Sequence, residues 1–311
     1  MGGGILTPEV SVIIPVRNEH PQLWFTIDSI QEELLEIPHE IIVVFNENTD
    51  RGVEFGRTKQ KFIRLFELEK GSIAQSRRFG AEQAKGRYLF FLDAHVLVES
   101  GSFRAAIELL NSNESAGICW FAVRYLLERK YAYGYTLHPR KFWGNWTHEY
   151  KDSKPWPCLM SGLAGAAVSR NILLEVGNFH PSLGIYGGSE PYVGFKMEMF
   201  GYRNYVHPNA KIAHFVDKRD YYWNNDDLWH NFLLGAYILG DDTYFDFLVN
   251  QYRKRCNGVQ SYLDGLERIC SQVKEEGKED KAFVEKNAKL TLQEVYSNHG
   301  VDLLELYRNE K

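Results

Sequence analysis

The chain has 311 residues, enough for one large α/β domain or for one domain with a helical appendage. Hydrophobic residues at 44% and charged residues at 25% are those of an ordinary globular protein, and no apolar run approaches the roughly 20 residues of a membrane span. A formal net charge of -5 excludes a surface that is a nucleic-acid footprint throughout, while leaving room for a local basic groove.

The first hundred residues alternate short apolar runs with helical patterns. Glu9 to Val16 (EVSVIIPV) is compact and β-branched, and Pro15 near its end suits a strand that stops there. From Pro21, the residues Leu23, Ile27, Ile30 and Leu34 fall on one face of a helix. EIIVVF and KFIRLFEL give a second and a third strand. A helix opened by a Ser72 cap and closed at Gly86 follows, and RYLFFLD is a fourth strand. Strands alternating with helices need crossover connections, hence a mainly parallel sheet covered on both faces. Ligands of such sheets bind beyond the carboxyl ends of the strands.

SGSFRAAIELLNS then reads as a helix and AGICWFAVRYLLER as a strand. Tyr131 to Pro157 is rich in aromatics and prolines, has no clear period, and is too long for an idle connection. CLMSGLAGAAVSR returns to small apolar residues, NILLEVGNF is a short helix, and the pattern is helical from about Trp223 onward. Domain limits of 1–222 for an α/β domain and 223–311 for a helical extension follow. Cys119, Cys158, Cys256 and Cys270 show no CxxC pair, and no N-terminal stretch has the form of a signal peptide. Reduced thiols in a cytoplasmic protein are the expectation.

Asp93-Ala94-His95 interrupts the apolar run that ends the fourth strand. Two ligand types on alternate residues of an extended segment point the same way. A carboxylate oxygen with an imidazole nitrogen suits Mn²⁺ or another first-row divalent ion more than Ca²⁺. His214, after the short apolar run NAKIAHF, is available as a third ligand.

EVSVIIPVRNEHPQLWFTIDSI followed by EIIVVFNENTD resembles the opening of a family-2-like glycosyltransferase of the GT-A fold. GSIAQSRRFGAEQAKGRYLFFLDAH is similar to the polypeptide N-acetylgalactosaminyltransferases, which carry Leu-Asp-Ala/Ser-His here. The likeness runs on through LAGAAVSRNILLEVGNFHPSLGIYGGSEPYVGFKMEMFGYRNYVHPNAKIAHF, and WNNDDLWHNF is similar to the Asn-rich segment that follows in that family. Residues 9 to 235 are covered. The resemblance implies a Rossmann-like GT-A α/β fold, a mainly parallel sheet flanked by helices, with the C-terminal helices as an extension. It implies that Asp93, His95 and His214 bind Mn²⁺ (or Mg²⁺), which neutralises the diphosphate of a UDP-sugar donor. Pro15, Val16, Asn18 and Glu19 would then face uracil and ribose, and Arg78 would sit near the nucleotide. Gly187 and Gly188 would let the backbone approach the donor sugar.

Two departures from that family stand out. Phe45-Asn46-Glu47 replaces its usual acidic pair after the second strand, so Asn46 would keep a hydrogen bond to the nucleoside without the charge. Ser189 stands where the family has Glu, and Glu190 follows one place later. Glu190 thus fits the base that deprotonates an acceptor hydroxyl, although an acid in a helix first turn also suits the helix dipole. Retaining and inverting chemistry both remain open at this point.

The expected function is transfer of a sugar from a nucleotide-sugar, UDP-linked, to a hydroxyl of a glycan, a protein Ser or Thr, a lipid-linked sugar or a hydroxymethylated DNA base. The loop LHPRKFWGNWTHEYKDSKPWP, with Trp143, Trp146, Trp156, Arg140 and Lys141, is the candidate for acceptor recognition. The absence of a membrane anchor or lectin domain suggests a bacterial or phage setting. The alternative is a catalytically silent nucleotide-sugar or glycan-binding module on the same fold.

Overall fold

A computed structural model of the chain describes residues 7–59, 63–215 and 224–308. Its centre is a nine-stranded sheet. In chain order the strands are β1 (Val10–Val16), β2 (His39–Asn46), β3 (Arg64–Leu68), β4 (Tyr88–Leu92), β5 (Val96–Val98), β6 (Ala116–Tyr125), β9 (Trp156–Pro157), β10 (Gly165–Ser169) and β11 (Arg203–His214). β7 (Tyr135–His138) and β8 (Trp143–Trp146) form a separate antiparallel hairpin. The main order is β3-β2-β1-β4-β10-β6-β11-β5, with β9 also paired to β11. β1 to β4 run parallel, and β6 and β11 point the same way because β10, between β4 and β6, is antiparallel to both. Six of the nine strands therefore share one direction.

Both faces of this sheet are apolar, as a parallel sheet with crossover helices requires. Along β1, Val10, Val12, Ile14 and Val16 pack on one side with α1 (Gln22–Glu33) and α4 (Ser102–Ser112). Ile13 points to the other side, against α3 (Ile73–Gln83). There Gly80 lies so close that a Cβ would come within 2.4 Å of Ile13 Cγ2. Ser72 caps α3 as the sequence suggests, in a box with Gln75. The helix stops at Gln83 rather than running to Gly86, because Gly86 is pressed against β1, with 2.5 Å between a Cβ there and Ser11 N.

The second face continues without a break into the C-terminal part. α5 (Arg170–Glu175) and α6 (Ser189–Met199) share that core with α7 (Asn225–Leu239), α8 (Asp242–Arg255), α9 (Gln260–Glu276), α10 (Lys278–Asn287), α11 (Leu292–Asn298) and α12 (Leu303–Arg308). Phe195 of α6 stacks on Phe142 of the hairpin turn at 5.3 Å and meets Tyr296 of α11 at 4.7 Å. The boundary expected at 222/223 lies outside the described residues. No helix among the described residues is long and apolar enough to cross a membrane.

Three elements differ from the sequence reading. α2 (Gly52–Thr58) was not expected, since its buried positions are Gly52 and Gly56, which carry no apolar period. Within the aromatic stretch 131–157, residues 135–146 form a hairpin and Trp156–Pro157 pairs with β11, while 147–155 carries no regular element. Asp93 to His95 is a turn between β4 and β5, so the pair does not lie on an extended segment.

Candidate active site

A cavity of ≈ 710 Å³ opens beyond the carboxyl ends of the strands that share one direction. Pro15 and Val16 enter from the end of β1, Asn46 from β2, Asp93 from just past β4, Val123 to Tyr125 from β6 and His214 from β11. α6 adds Ser189 and Glu190 of its first turn, and the hairpin adds Tyr135, Trp143 and Trp146.

On its floor, Asp93, His95 and His214 each present one ligand atom within 4.8 Å of the others, the only such trio among the described residues. Backbone pairing brings them together. β4 ends at Leu92, the turn carries the chain over, and β5 pairs with β11 so that His214 lies opposite Val96. Phe215 N donates to His95 O at 2.9 Å. His214 Nε2 is 3.6 Å from Asp93 Oδ2, and the two imidazoles meet edge to face at 4.7 Å. His95 Nδ1 lies 3.1 Å from Glu19 Oε1, an outer carboxylate of the kind that orients a metal-binding histidine. His214 Nδ1 is buried without a hydrogen-bonding partner among the described residues. One carboxylate and two imidazoles, with an unpartnered ring nitrogen among them, fit a first-row divalent ion.

Arg77, 4% exposed, reaches the same place, its Nη2 donating to Asp93 Oδ1 at 2.9 Å and to Leu163 O at 3.3 Å. Burial alone would raise the Asp93 carboxyl, but the neighbouring His214, Arg77 and His95 outweigh it and hold the group ionised far below the usual range. Glu190 behaves oppositely: burial raises it, and Arg77 offsets only part of that. Two carboxyls in one cavity are thus pushed apart, one held as an anion and the other made a stronger base.

Comparison with known proteins puts these features in context. The family model described as glycosyl transferase family 2 matches residues 11–177, more than half of the chain. The chain belongs to glycosyl transferase family 2. It is 29% identical over 244 residues to a putative polypeptide N-acetylgalactosaminyltransferase 13 of Drosophila melanogaster, covering 69% of this chain and 43% of the relative. A polypeptide N-acetylgalactosaminyltransferase 3 of the same organism is 26% identical over 237 residues, covering 67% and 35%. The chain therefore spans less than half the length of these curated relatives. Among solved structures, GalNAc-T7 with UDP, GalNAc and Mn²⁺ superposes with a TM-score of 0.68 at 15% identity, over 88% of this chain and 57% of that one. S. aureus TarS 1-349 in complex with UDP-GlcNAc gives 0.56 at 13% identity, over 89% and 90%. The fold is GT-A.

Within this family 2 chain, Pro15, Val16, Asn18, Glu19, Asn46 and Gly187 line the cavity, but two of them have work of their own. Asn18, in the left-handed region at φ 56°, accepts from Thr49 N at 2.7 Å and Asp50 N at 3.1 Å, tying the β1 and β2 ends together. Asn46 Nδ2 donates to Val16 O and Ser76 Oγ, both at 3.2 Å.

Arg78 is a correction. It turns away from the cavity, donating from Nη1 to Phe179 O at 2.6 Å and pairing with Glu82 at 3.0 Å. Arg77 takes the place beside Asp93, His95 and His214. Gly188 is a second correction: it does not line the cavity, and its missing Cβ makes room for α7, since a Cβ would come within 2.7 Å of Asn231 Cβ. Trp156 packs with Tyr133 and Tyr150 instead of facing the cavity, and Arg140 and Lys141 do not line it. Sequence reasoning missed Arg77 and Tyr135. The signal for Arg77 was present, because Ala74, Arg77 and Ala81 share the buried face of α3.

Proposed function

We propose that this chain is a metal-dependent glycosyltransferase that moves a sugar from a UDP-sugar to an acceptor hydroxyl. The convergence of Asp93, His95 and His214 on the floor of the cavity carries the reading. A divalent ion held by these three side chains would offset the charge that develops on a departing nucleoside diphosphate. Around it, Arg77 fixes the Asp93 carboxylate, and Glu19 sets a carboxylate oxygen 3.1 Å from Nδ1 of His95.

Pro15, Val16 and Asn46 form the wall on which base and ribose rest, supported by the cross-links between the β1 and β2 ends. Glu190 takes the proton of the acceptor hydroxyl, and its raised basicity suits that role. Tyr135, Trp143 and Trp146 supply flat apolar faces on which a sugar ring stacks. The names of the curated relatives make N-acetylgalactosamine the first donor sugar to test and a polypeptide hydroxyl the first acceptor. A glycan or a hydroxymethylated DNA base comes after these.

Calorimetry with UDP, with and without Mn²⁺, tests the reading. Tight binding that requires the ion and is lost in Asp93→Ala is the expected result. Absence of UDP binding under both conditions would remove the donor assignment.

A further inference from the structure

The segment Gly184 to Gly188 delivers Tyr186, Gly187 and the first turn of α6 to the cavity, yet little of its own structure holds it. Gly187 and Gly188 both take left-handed backbone, at φ 78° and 81°, and the segment lies between short elements rather than within one. Three hydrogen bonds to it come from α7, a helix beyond the residues that the family model matches. Asn231, fully buried at 0% exposure, faces this segment with its whole side chain. Its Oδ1 accepts from Gly184 N at 2.7 Å, and its Nδ2 donates to Tyr186 O at 2.9 Å and to Gly187 O at 3.1 Å.

Those partners settle the orientation of the amide, since an N–H can only meet the oxygen and carbonyls can only meet the nitrogen. His230 steadies the same group, with Nδ1 3.1 Å from Asn231 Oδ1 and Nε2 2.8 Å from Glu276 Oε2 of α9. Two steric contacts press the segment and helix together. A Cβ at Gly187 would come within 2.5 Å of Leu228 Cδ1, and one at Gly188 within 3.1 Å of the Asn231 backbone.

We propose that Asn231 is a positioning residue for the transfer reaction. One amide reads the backbone of residues 184–187 at three points, and so sets where the first turn of α6, and Glu190 with it, stands relative to Asp93, His95 and His214. The C-terminal helices are then a working part of the catalytic apparatus rather than a platform beside it. A carboxylate of the same shape would meet the Gly184 N–H equally well but would set an anion against two carbonyl oxygens. The donor half of the amide is therefore the half that cannot be replaced.

This inference rests on the proposed transferase reading, and the test separates the two. Wild type, Asn231→Asp, Asn231→Ala and Tyr296→Phe are compared, the last losing a hydroxyl contact of 3.0 Å to Tyr244 in the same C-terminal core. Mn²⁺-dependent hydrolysis of UDP-N-acetylgalactosamine is measured together with amide hydrogen exchange of residues 184–190.

Both Asn231 variants are expected to exchange faster at Gly184 to Glu190 and to lose about 10- to 100-fold in kcat, as a shift of about 1 Å in a reacting group does. Mn²⁺ affinity should stay near that of wild type. Tyr296→Phe should keep its turnover. An Asn231→Asp protein with wild-type exchange in 184–190, or with wild-type kcat, overturns the inference. If wild type shows no turnover, the transferase reading falls, and the exchange result alone decides whether the clamp exists.

Discussion

Lys196 of α6 permits a quantitative test of how the C-terminal helices are joined to the sheet domain. Its side chain is fully buried at 0% exposure. Nζ donates to Tyr192 Oη at 2.8 Å, lies 3.8 Å from Asp280 Oδ2 of α10, and sits 4.9 Å from the Tyr192 ring and 5.6 Å from the Phe283 ring. Burial pushes the ammonium from 10.5 down to about 8, with Asp280 offsetting part of that and the positive charge of Arg78 adding to it. Unfolding returns the group to its ordinary value, so between these two limits the unfolded chain binds more protons than the folded one. Stability must then rise with pH in that window.

Holding Lys196 in place costs about 3 kcal/mol at about pH 7.5 and about 1 kcal/mol at about pH 9.5, a gain of about 2 kcal/mol. Urea unfolding of wild type and Lys196→Met at these two pH values isolates the effect, because other titrating groups largely cancel in the difference. The free-energy difference between the two proteins should move in favour of wild type by about 2 kcal/mol as the pH is raised. A difference that stays flat within about 0.5 kcal/mol refutes the argument, and means that Lys196 keeps its ordinary ionisation in the folded protein.

Three further outcomes follow from the structure. Glu190→Gln keeps the shape and loses the proton acceptor, so transfer should fall about 10²- to 10⁴-fold while UDP and Mn²⁺ bind as before. Because burial raises Glu190, the wild-type rate should decline on the acid side at a pH above the usual glutamate range, and that limb should vanish in the variant. Gly188→Ala meets both a left-handed backbone at φ 81° and the wall of α7 at 2.7 Å. The first costs about 1–2 kcal/mol and the second about 1–3 kcal/mol, so urea unfolding should show a loss of about 2–5 kcal/mol.

The parallel half of the sheet was legible because strands buried on both faces read as unbroken apolar runs, as in EVSVIIPV and RYLFFLD. The three residues that converge in the cavity stood out for a different reason: Asp93 and His95 interrupt such a run, and His214 ends another. Their convergence does not come from alternate positions on a strand, however, but from a turn that sends β5 to the far side of β11. The choice between Arg77 and Arg78 needed the phase of α3, which neighbouring Ala74 and Ala81 supply only once the helix ends are known. The hairpin escaped because each of its strands is only four residues long, too short for an alternation to stand out, and Phe142 at φ 52° and Gly134 at φ 91° make its bends. Asn231 lies in WNNDDLWHNF, a segment whose likeness to the family was visible, but nothing in that likeness says which of its amides turns inward or what backbone it meets.

The pairing of β5 with β11 bears on the order in which the protein becomes competent. β11 is the last strand in sequence among the described residues, and it brings His214 to a turn that was made much earlier in the chain. A nascent chain that has emerged only as far as β10 has Asp93 and His95 but no third donor, and it also lacks Glu190. Only when β11 slides in between β6 and β5 does the set close, and the Phe215 N–H then latches onto His95 O at 2.9 Å. The final strand is thus what completes the three-residue set, and a polypeptide that stops short of it lacks His214 altogether.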